Sequence, residues 1–177
     1  MKVDLIITEY KRPEFLFRLL GQIRFFDFNK VIVHRDSCAG VTEEIGDYLE
    51  IRSNERVGQV VALDKLMAEV TTEFYIGLEE DFLCVGDLKK GIEEAIEILE
   101  NNPMCGSVSL RGNDKKAHNG HPSELVDGVW RMKKGFAGWD GFSYAPSVRR
   151  LAQYKEIGSY SKVATFDVKR PYEAEKK

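Results

Sequence analysis

Three consecutive acids, Glu79, Glu80 and Asp81, follow the apolar run Phe74 to Leu78. In an extended chain, alternation puts Glu79 and Asp81 on one side. Two unit charges about 4 Å apart repel by roughly 4 kcal/mol at an effective dielectric of about 20. Protonation, a basic neighbour or a bound divalent cation would each relieve that repulsion. Carboxylate oxygens are hard ligands and suit Mg or Mn, above all when a substrate phosphate completes the shell. The alternative is a solvated acidic turn after a strand. Thr8-Glu9-Tyr10-Lys11-Arg12 presents a hydroxyl, a ring and two cations. That set suits a base and phosphates, or simply the turn into a helix at Pro13. Asp36, in Arg35-Asp36-Ser37, could accept hydrogen bonds from a base or ribose, or stand as a loop acid. Ser53-Asn54-Glu55-Arg56 leads into Val57-Gly58-Gln59, where Gly58 could let the main chain approach a phosphate at a helix N-terminus. His118 and His121 form His-x-x-His without a clear third ligand, which reads as loop polarity rather than zinc. Trp130 and Trp139 could stack on a sugar ring or fill the core.

These residues can act together only if the backbone gathers them. Val3 to Thr8 reads as a strand. Pro13 opens a helix at its first turn, with Glu14 at the positive end and Phe15, Leu16, Leu19, Leu20 and Ile23 on one face. Lys30 to His34 and Leu49 to Arg52 read as strands, and a short helix is expected to start at Thr42. Gly58 to Val70 has helical spacing of Val60, Leu63, Leu66, Met67 and Val70. Phe74 to Leu78 is the fourth strand. Asp87 is an N-cap for a helix that ends at Asn101-Asn102-Pro103. The acids on its outer side read as a solvated face. Gly106 to Leu110 is the fifth strand. Residues 111–128 then read as a long loop of a kind that is usually functional or disordered. Val129 to Met132 and Phe142 to Ala145 read as strands, Pro146 to Tyr154 as a helix, and the rest is weakly patterned. Alternating strands and helices predict an α/β fold with a mostly parallel sheet and right-handed crossovers. In such sheets ligands lie beyond the carboxyl ends of the strands. The polar segments singled out above all follow predicted strands, so they share one edge.

Composition bounds the reading. The chain has 177 residues, 43% hydrophobic and 31% charged, with net charge −3. One domain with a real core is expected, and disorder is excluded. No basic field argues for nucleic acid. No apolar run approaches the roughly 18 residues of a membrane span. Met1-Lys2-Val3-Asp4 enters a strand directly, which predicts no signal peptide. Three widely spaced cysteines, Cys38, Cys84 and Cys105, disfavour a disulfide scaffold or structural zinc. They suit the reducing cytoplasm, that of the host if the chain is virus-encoded.

In order and spacing, the segments resemble a GT-A glycosyltransferase, most similar to the family-2 type, over about the first 110 residues. Ile6-Ile7-Thr8-Glu9-Tyr10-Lys11-Arg12-Pro13-Glu14-Phe15-Leu16 resembles that family's first strand and helix. Val31 to Ser37 resembles its second strand, whose terminal acid contacts the base. Asn54 through Val57-Gly58 to Ala62-Leu63-Asp64 resembles its Asn-to-Gly-to-helix segment. Glu79-Glu80-Asp81 stands at the place of its Asp-x-Asp motif, with Glu79 for the usual first Asp. The resemblance implies a Rossmann-like three-layer fold with a twisted, mostly parallel central sheet flanked by helices. It implies one domain over 1–177, with 1–110 as the nucleotide-sugar-binding half and 111–177 as the acceptor side. The implied donor is a UDP or GDP type nucleoside diphosphate sugar, with Mn or Mg held by Asp81 and Glu79. Thr8, Glu9, Tyr10, Arg12, Asp36, Arg56, Gly58, Gln59, Glu79 and Glu80 would line the donor site. Phe136 to Ala145 resembles the family's acceptor-side strand. Ile157-Gly158-Ser159-Tyr160 followed by Phe166-Asp167 resembles the stretch that ends in its catalytic acid. Asp167 is thereby the base in an inverting displacement, with Asp140 as second candidate. The Glu that precedes the base in the family is Phe166 here. The acceptor would be a hydroxyl of a glycan, protein or lipid, and a homodimer is compatible with the sequence.

Other classes fit less well. A sugar-phosphate nucleotidyltransferase would carry a Gly-rich loop after the first strand, where this chain has Thr8 to Pro13. A receiver or haloacid-dehalogenase domain would carry a nucleophilic Asp there, where this chain has Glu9. A catalytically inactive nucleotide or sugar-binding module remains an alternative.

Overall fold

Leu5, Ile6 and Ile7 form a strand that is apolar on both faces, so it belongs in the middle of a covered sheet. The computed structural model, which describes residues 3–36, 48–110, 123–126, 129–132 and 146–163, puts it there. The elements run β1 (Asp4–Tyr10), α1 (Pro13–Ile23), β2 (Lys30–Asp36), β3 (Leu49–Ser53), α2 (Gln59–Met67), β4 (Phe74–Glu79) and α3 (Leu88–Asn101). They continue with β5 (Ser107–Ser109), β6 (Ser123–Val126), β7 (Val129–Met132), β8 (Ser147–Arg150), α4 (Leu151–Ile157) and α5 (Tyr160–Val163). The main sheet has the order β3-β2-β1-β4-β8-β5. The pairs β1–β2, β1–β4 and β2–β3 are parallel, and β8 is antiparallel to both β4 and β5.

Helices cover both faces, as the sequence predicts. Leu5, Ile7, Val33 and Ile76 pack with Leu16, Leu19 and Ile23 of α1 and Ile92 and Leu99 of α3. Ile6, Ile32 and Tyr75 pack on the other side with Leu63, Leu66 and Met67 of α2 and Leu151 of α4. Asp87 caps α3 by accepting from the Lys90 N–H at 3.0 Å. At the amino end of β1, buried Asp4 accepts from Asn29 Nδ2 and the N–H groups of Thr71 and Thr72. Burial pushes its carboxyl up, but those bonds outweigh it and hold the group below its ordinary value.

Two expectations need correction. Residues 147–150 are a strand rather than the first turns of a helix, and helix begins only at Leu151. Fully buried Val148 fills the space between β4 and β5, so pairing with two strands overrides the helix-starting character of Pro146. The span 111–128 is not loop throughout, because β6 pairs antiparallel with β7, Val126 opposite Val129. Asp127-Gly128 between them is a strong hairpin signal that the sequence does carry. The expected helix start at Thr42 and the expected strand Phe142 to Ala145 lie outside the described residues.

The chain divides into two compact units. Met1–Leu110 and Tyr144–Val163 form the first, which contains the six-stranded sheet, while Arg111–Ser143 and Ala164–Lys177 form the second, which contains the β6–β7 hairpin. Among the described residues, no helix is long and apolar enough to cross a membrane, and Cys84 and Cys105 are free thiols.

Candidate functional site

Parallel pairing aligns the carboxyl ends of the first four strands. Tyr10 is in register with Asp36, Asp36 with Ser53, and Thr8 with Glu79. The polar segments that follow them therefore meet on one sheet edge.

Asp36 organises one side of that edge. Its two carboxylate oxygens accept from the N–H groups of Val57 and Gly58, each at 2.9 Å. This fixes the loop that leads into α2. Gly58 has φ 79° and ψ 160°, a conformation open essentially to glycine alone. The glycine is thus required by the backbone, whatever approaches it. Across this loop, the Arg56 guanidinium lies 4.8 Å from the Tyr10 ring centroid, and Lys11 Nζ lies 5.3 Å from it. Lys11 itself sits at φ 57°, in the left-handed region, where the strand turns into α1.

The acids occupy the other side. Gln59 Nε2 donates to Glu79 Oε1 at 2.6 Å. Arg12 reaches both remaining acids, with Nε 3.0 Å from Glu80 Oε1 and Nη1 2.9 Å from Asp81 Oδ2. A basic neighbour thus meets two acids of the triplet, and Gln59 meets the third. Burial pushes the Glu80 carboxyl up, its own N–H and Arg12 pull it down, and Asp81 and Glu79 push it up again, with a net rise. Among the described residues, no group of three or more His, Cys, Asp or Glu is gathered for a metal. A cation shared with a diphosphate needs only one or two protein carboxylates. Asp81, with a side chain 40% exposed, has the hard oxygen and the access for that role, so the donor set fits Mn or Mg.

Glu9 lies beneath the edge. It is buried in an ion pair with Arg35, Nε to Oε2 at 3.1 Å, and its Oε1 accepts the Arg12 N–H at 2.7 Å. Its carboxylate thus holds the strand ends from below. His34, fully buried on β2, has Nε2 3.0 Å from Ser53 Oγ, which also accepts from Lys65 Nζ at 2.7 Å. Burial, then the Lys65 cation, lower the His34 pKa below its ordinary 6.5, against opposing pulls from Asp36 and Glu9. The unfolded chain takes up this proton near pH 6.5 and the native state only at lower pH. Stability is therefore complete above that pH and falls as the pH drops from 6.5 towards the folded value, by up to about 1.4 kcal/mol per pH unit. Urea midpoints between pH 7 and 5 are expected to fall less steeply in His34→Gln than in the wild type. An unchanged slope would assign the acid sensitivity elsewhere.

Arg149, which sequence reasoning did not single out, adds to the edge. A pocket beside Glu79 is lined by Thr8, Gln59, Tyr75, Arg149 and Tyr160 among others. Arg149 comes from β8, so it was hidden by the helical reading of that segment. Tyr160 is placed by Asp64 of α2, which accepts from the N–H groups of Tyr160 and Ser161, from Ser159 Oγ and from Tyr154 Oη. Burial raises the Asp64 carboxyl, but these bonds outweigh it and leave the pKa lowered. Asp140, Asp167, His118, His121 and Trp139 lie outside the described residues. Trp130 lies on β7, in the second unit.

No family model matches the chain, and no curated protein matches it either. Solved structures do. The mannosyltransferase PcManGT from Pyrobaculum calidifontis, in complex with GDP-Man and Mn2+, matches with TM-score 0.63 and 17% identity over 94% of this chain and 49% of its own. S. aureus TarS matches with TM-score 0.61 and 16% identity over 99% of this chain and 53% of its own. The 2-C-methyl-D-erythritol 4-phosphate cytidylyltransferase from Thermus thermophilus matches with TM-score 0.56 and 12% identity over 98% of this chain and 83% of its own. The fold is shared with these proteins. The chain spans about half the length of the first two. The expectation of an α/β fold with a mostly parallel central sheet flanked by helices is met.

Proposed function

We propose that the chain binds a nucleoside diphosphate sugar on the carboxyl edge of the sheet and transfers the sugar to a hydroxyl acceptor. The observation that carries this reading is the convergence on that edge of Tyr10 with Arg56, of Asp36 with the Gly58 loop, and of Arg12 with Asp81. The likeness to a mannosyltransferase complexed with GDP-Man and Mn2+ supports it. Tyr10 and Arg56 offer a face for the base. Thr8, Asp36, Gly58 and Gln59 would shape the nucleoside and phosphate site, with Glu9 and Glu80 supporting it from within. Asp81, with Glu79 as the second carboxylate, would hold Mn or Mg. When bound, the cation supplies charge neutralisation of the leaving diphosphate. Arg12 and Arg56 add cationic stabilisation of the same developing charge. The acceptor oxygen bonds to the anomeric carbon as the diphosphate leaves with the electron pair of the broken bond. Asp167, or else Asp140, takes the hydroxyl proton, and a single displacement inverts the centre.

A second reading has its own support: the fold also matches a cytidylyltransferase over 98% of this chain and 83% of that enzyme. A nucleotidyltransferase would bind a nucleoside triphosphate and release pyrophosphate. Calorimetric titration with UDP, GDP, ADP, CMP and CTP, with and without Mn, separates the readings. Mn-dependent binding of UDP or GDP is the expected result. Preference for CTP, with pyrophosphate release on adding a sugar phosphate, would favour the second reading. No nucleotide binding by folded protein would overturn both.

A further inference from the structure

The contact between Arg12 and the acids is placed so that a cation and a guanidinium would compete for one oxygen. Arg12 has a fixed backbone and a movable head. Its N–H donates to Glu9, and its C=O accepts from the N–H groups of Phe15 and Leu16 at the start of α1. Its side chain is 48% exposed and ends against Asp81 Oδ2, while Glu80 beside it is buried. The Asp81 main chain is held separately, because its C=O accepts from Arg18 Nη2 at 3.4 Å. Release of the Arg12 head would therefore free the Asp81 carboxylate without dislodging the loop that carries it. A guanidinium also pairs with a diphosphate in a bidentate manner.

From this geometry we propose that Arg12 is a displaceable counter-ion that occupies the Asp81 carboxylate until a diphosphate draws it away, so that divalent cation and nucleotide bind cooperatively. This rests on the donor-site reading above. In the free protein the guanidinium blocks Asp81 Oδ2, and Mn alone binds weakly. With a diphosphate present, Arg12 swings to its oxygens and the carboxylate opens to the cation. By linkage, Mn must then tighten nucleotide binding by the same factor.

The test measures free Mn2+ by electron paramagnetic resonance on the full chain, with Mn2+ alone and with UDP or GDP. Arg12→Met, which keeps an apolar stem without the charge, is expected to bind Mn alone about fivefold tighter than the wild type, the size of one half-exposed ion pair. Its cooperativity with the diphosphate should shrink by a similar factor. Arg12→Lys, with one-point contact, should fall between the two and serves as the readout if Arg12→Met does not fold. Equal or weaker Mn binding by a folded Arg12→Met, with the binding still abolished by Asp81→Asn, overturns the counter-ion role and leaves the donor site standing. Mn binding that Asp81→Asn does not affect in any background overturns the donor-site assignment and the counter-ion role with it.

Discussion

Glu9→Ala is expected to cost about 3–5 kcal/mol of stability, the loss that follows when one partner of a buried ion pair is removed. Folded domains hold only about 5–15 kcal/mol in total, so the variant should be poorly soluble or unfolded at 37 °C. The Glu9 side chain is 0% exposed and that of Arg35 4%, so deletion of the carboxylate leaves a guanidinium in the interior. Glu50 Oε1 stands 3.6 Å from Arg35 Nη1 and is already bonded to Arg52, so it compensates only in part. The Arg12 N–H would lose its acceptor as well. Urea unfolding of Glu9→Ala and of the double variant Glu9→Leu with Arg35→Met checks the argument. The double variant should be the more stable, because the guanidinium that loses the Glu9 carboxylate is removed together with it. A loss below about 1 kcal/mol for Glu9→Ala would show that the remaining contacts of Arg35, Glu50 among them, satisfy its guanidinium.

Asp81→Ala should divide function from stability in the opposite way. Its side chain is partly open to solvent and its main ion pair is the half-exposed one with Arg12. The urea midpoint should therefore move by no more than about 0.5 kcal/mol equivalent. Under the proposed function, loss of the carboxylate removes the hold on the cation that neutralises the diphosphate, and Mn-dependent donor turnover should fall by about 100-fold or more. Donor consumption at saturating Mn, beside an unfolding curve on the same preparation, gives both readouts. Full retained turnover would sink the metal assignment, and a large stability loss would recast Asp81 as a structural acid.

The elements that the sequence discloses are those whose signal is local. β1 and β2 carry uninterrupted apolar runs because parallel strands are covered on both faces. α1 shows its inner face through Leu16, Leu19, Leu20 and Ile23 at helical spacing. β8 escapes this logic. Four residues, Ser147 to Arg150, have no period to read, and only the gap between β4 and β5 makes them a strand. The site divides in the same way. That polar segments follow strand ends is visible in one dimension, and so is the acidic triplet. Which partner each side chain takes depends on register. Glu9 and Arg35 are opposite neighbours on β1 and β2, 26 positions apart in sequence. The Arg12–Asp81 contact spans 69 positions. The sequence reads Asp36 as an acceptor for a base or ribose, or as a loop acid; in the structure its carboxylate accepts from the N–H groups of Val57 and Gly58.

The position of β8 also bears on how the molecule comes into being. β4 is synthesised early, yet its outer edge is closed by a strand that emerges from the ribosome long afterwards. Glu73 and Arg150, joined across that seam, are 77 positions apart. Until residue 150 is out, β5 has no direct neighbour in the main sheet and the backbone of β4 is left with open hydrogen-bonding groups on one side. Unpaired edges recruit other chains, and distant pairings are slow to close. The nascent chain can therefore pair β3, β2, β1 and β4 as they appear, but it cannot close the β4 edge until β8 is made. Completion of the six-stranded sheet waits for residues 147–150, and until then the open β4 edge is the part of the sheet most exposed to wrong pairing.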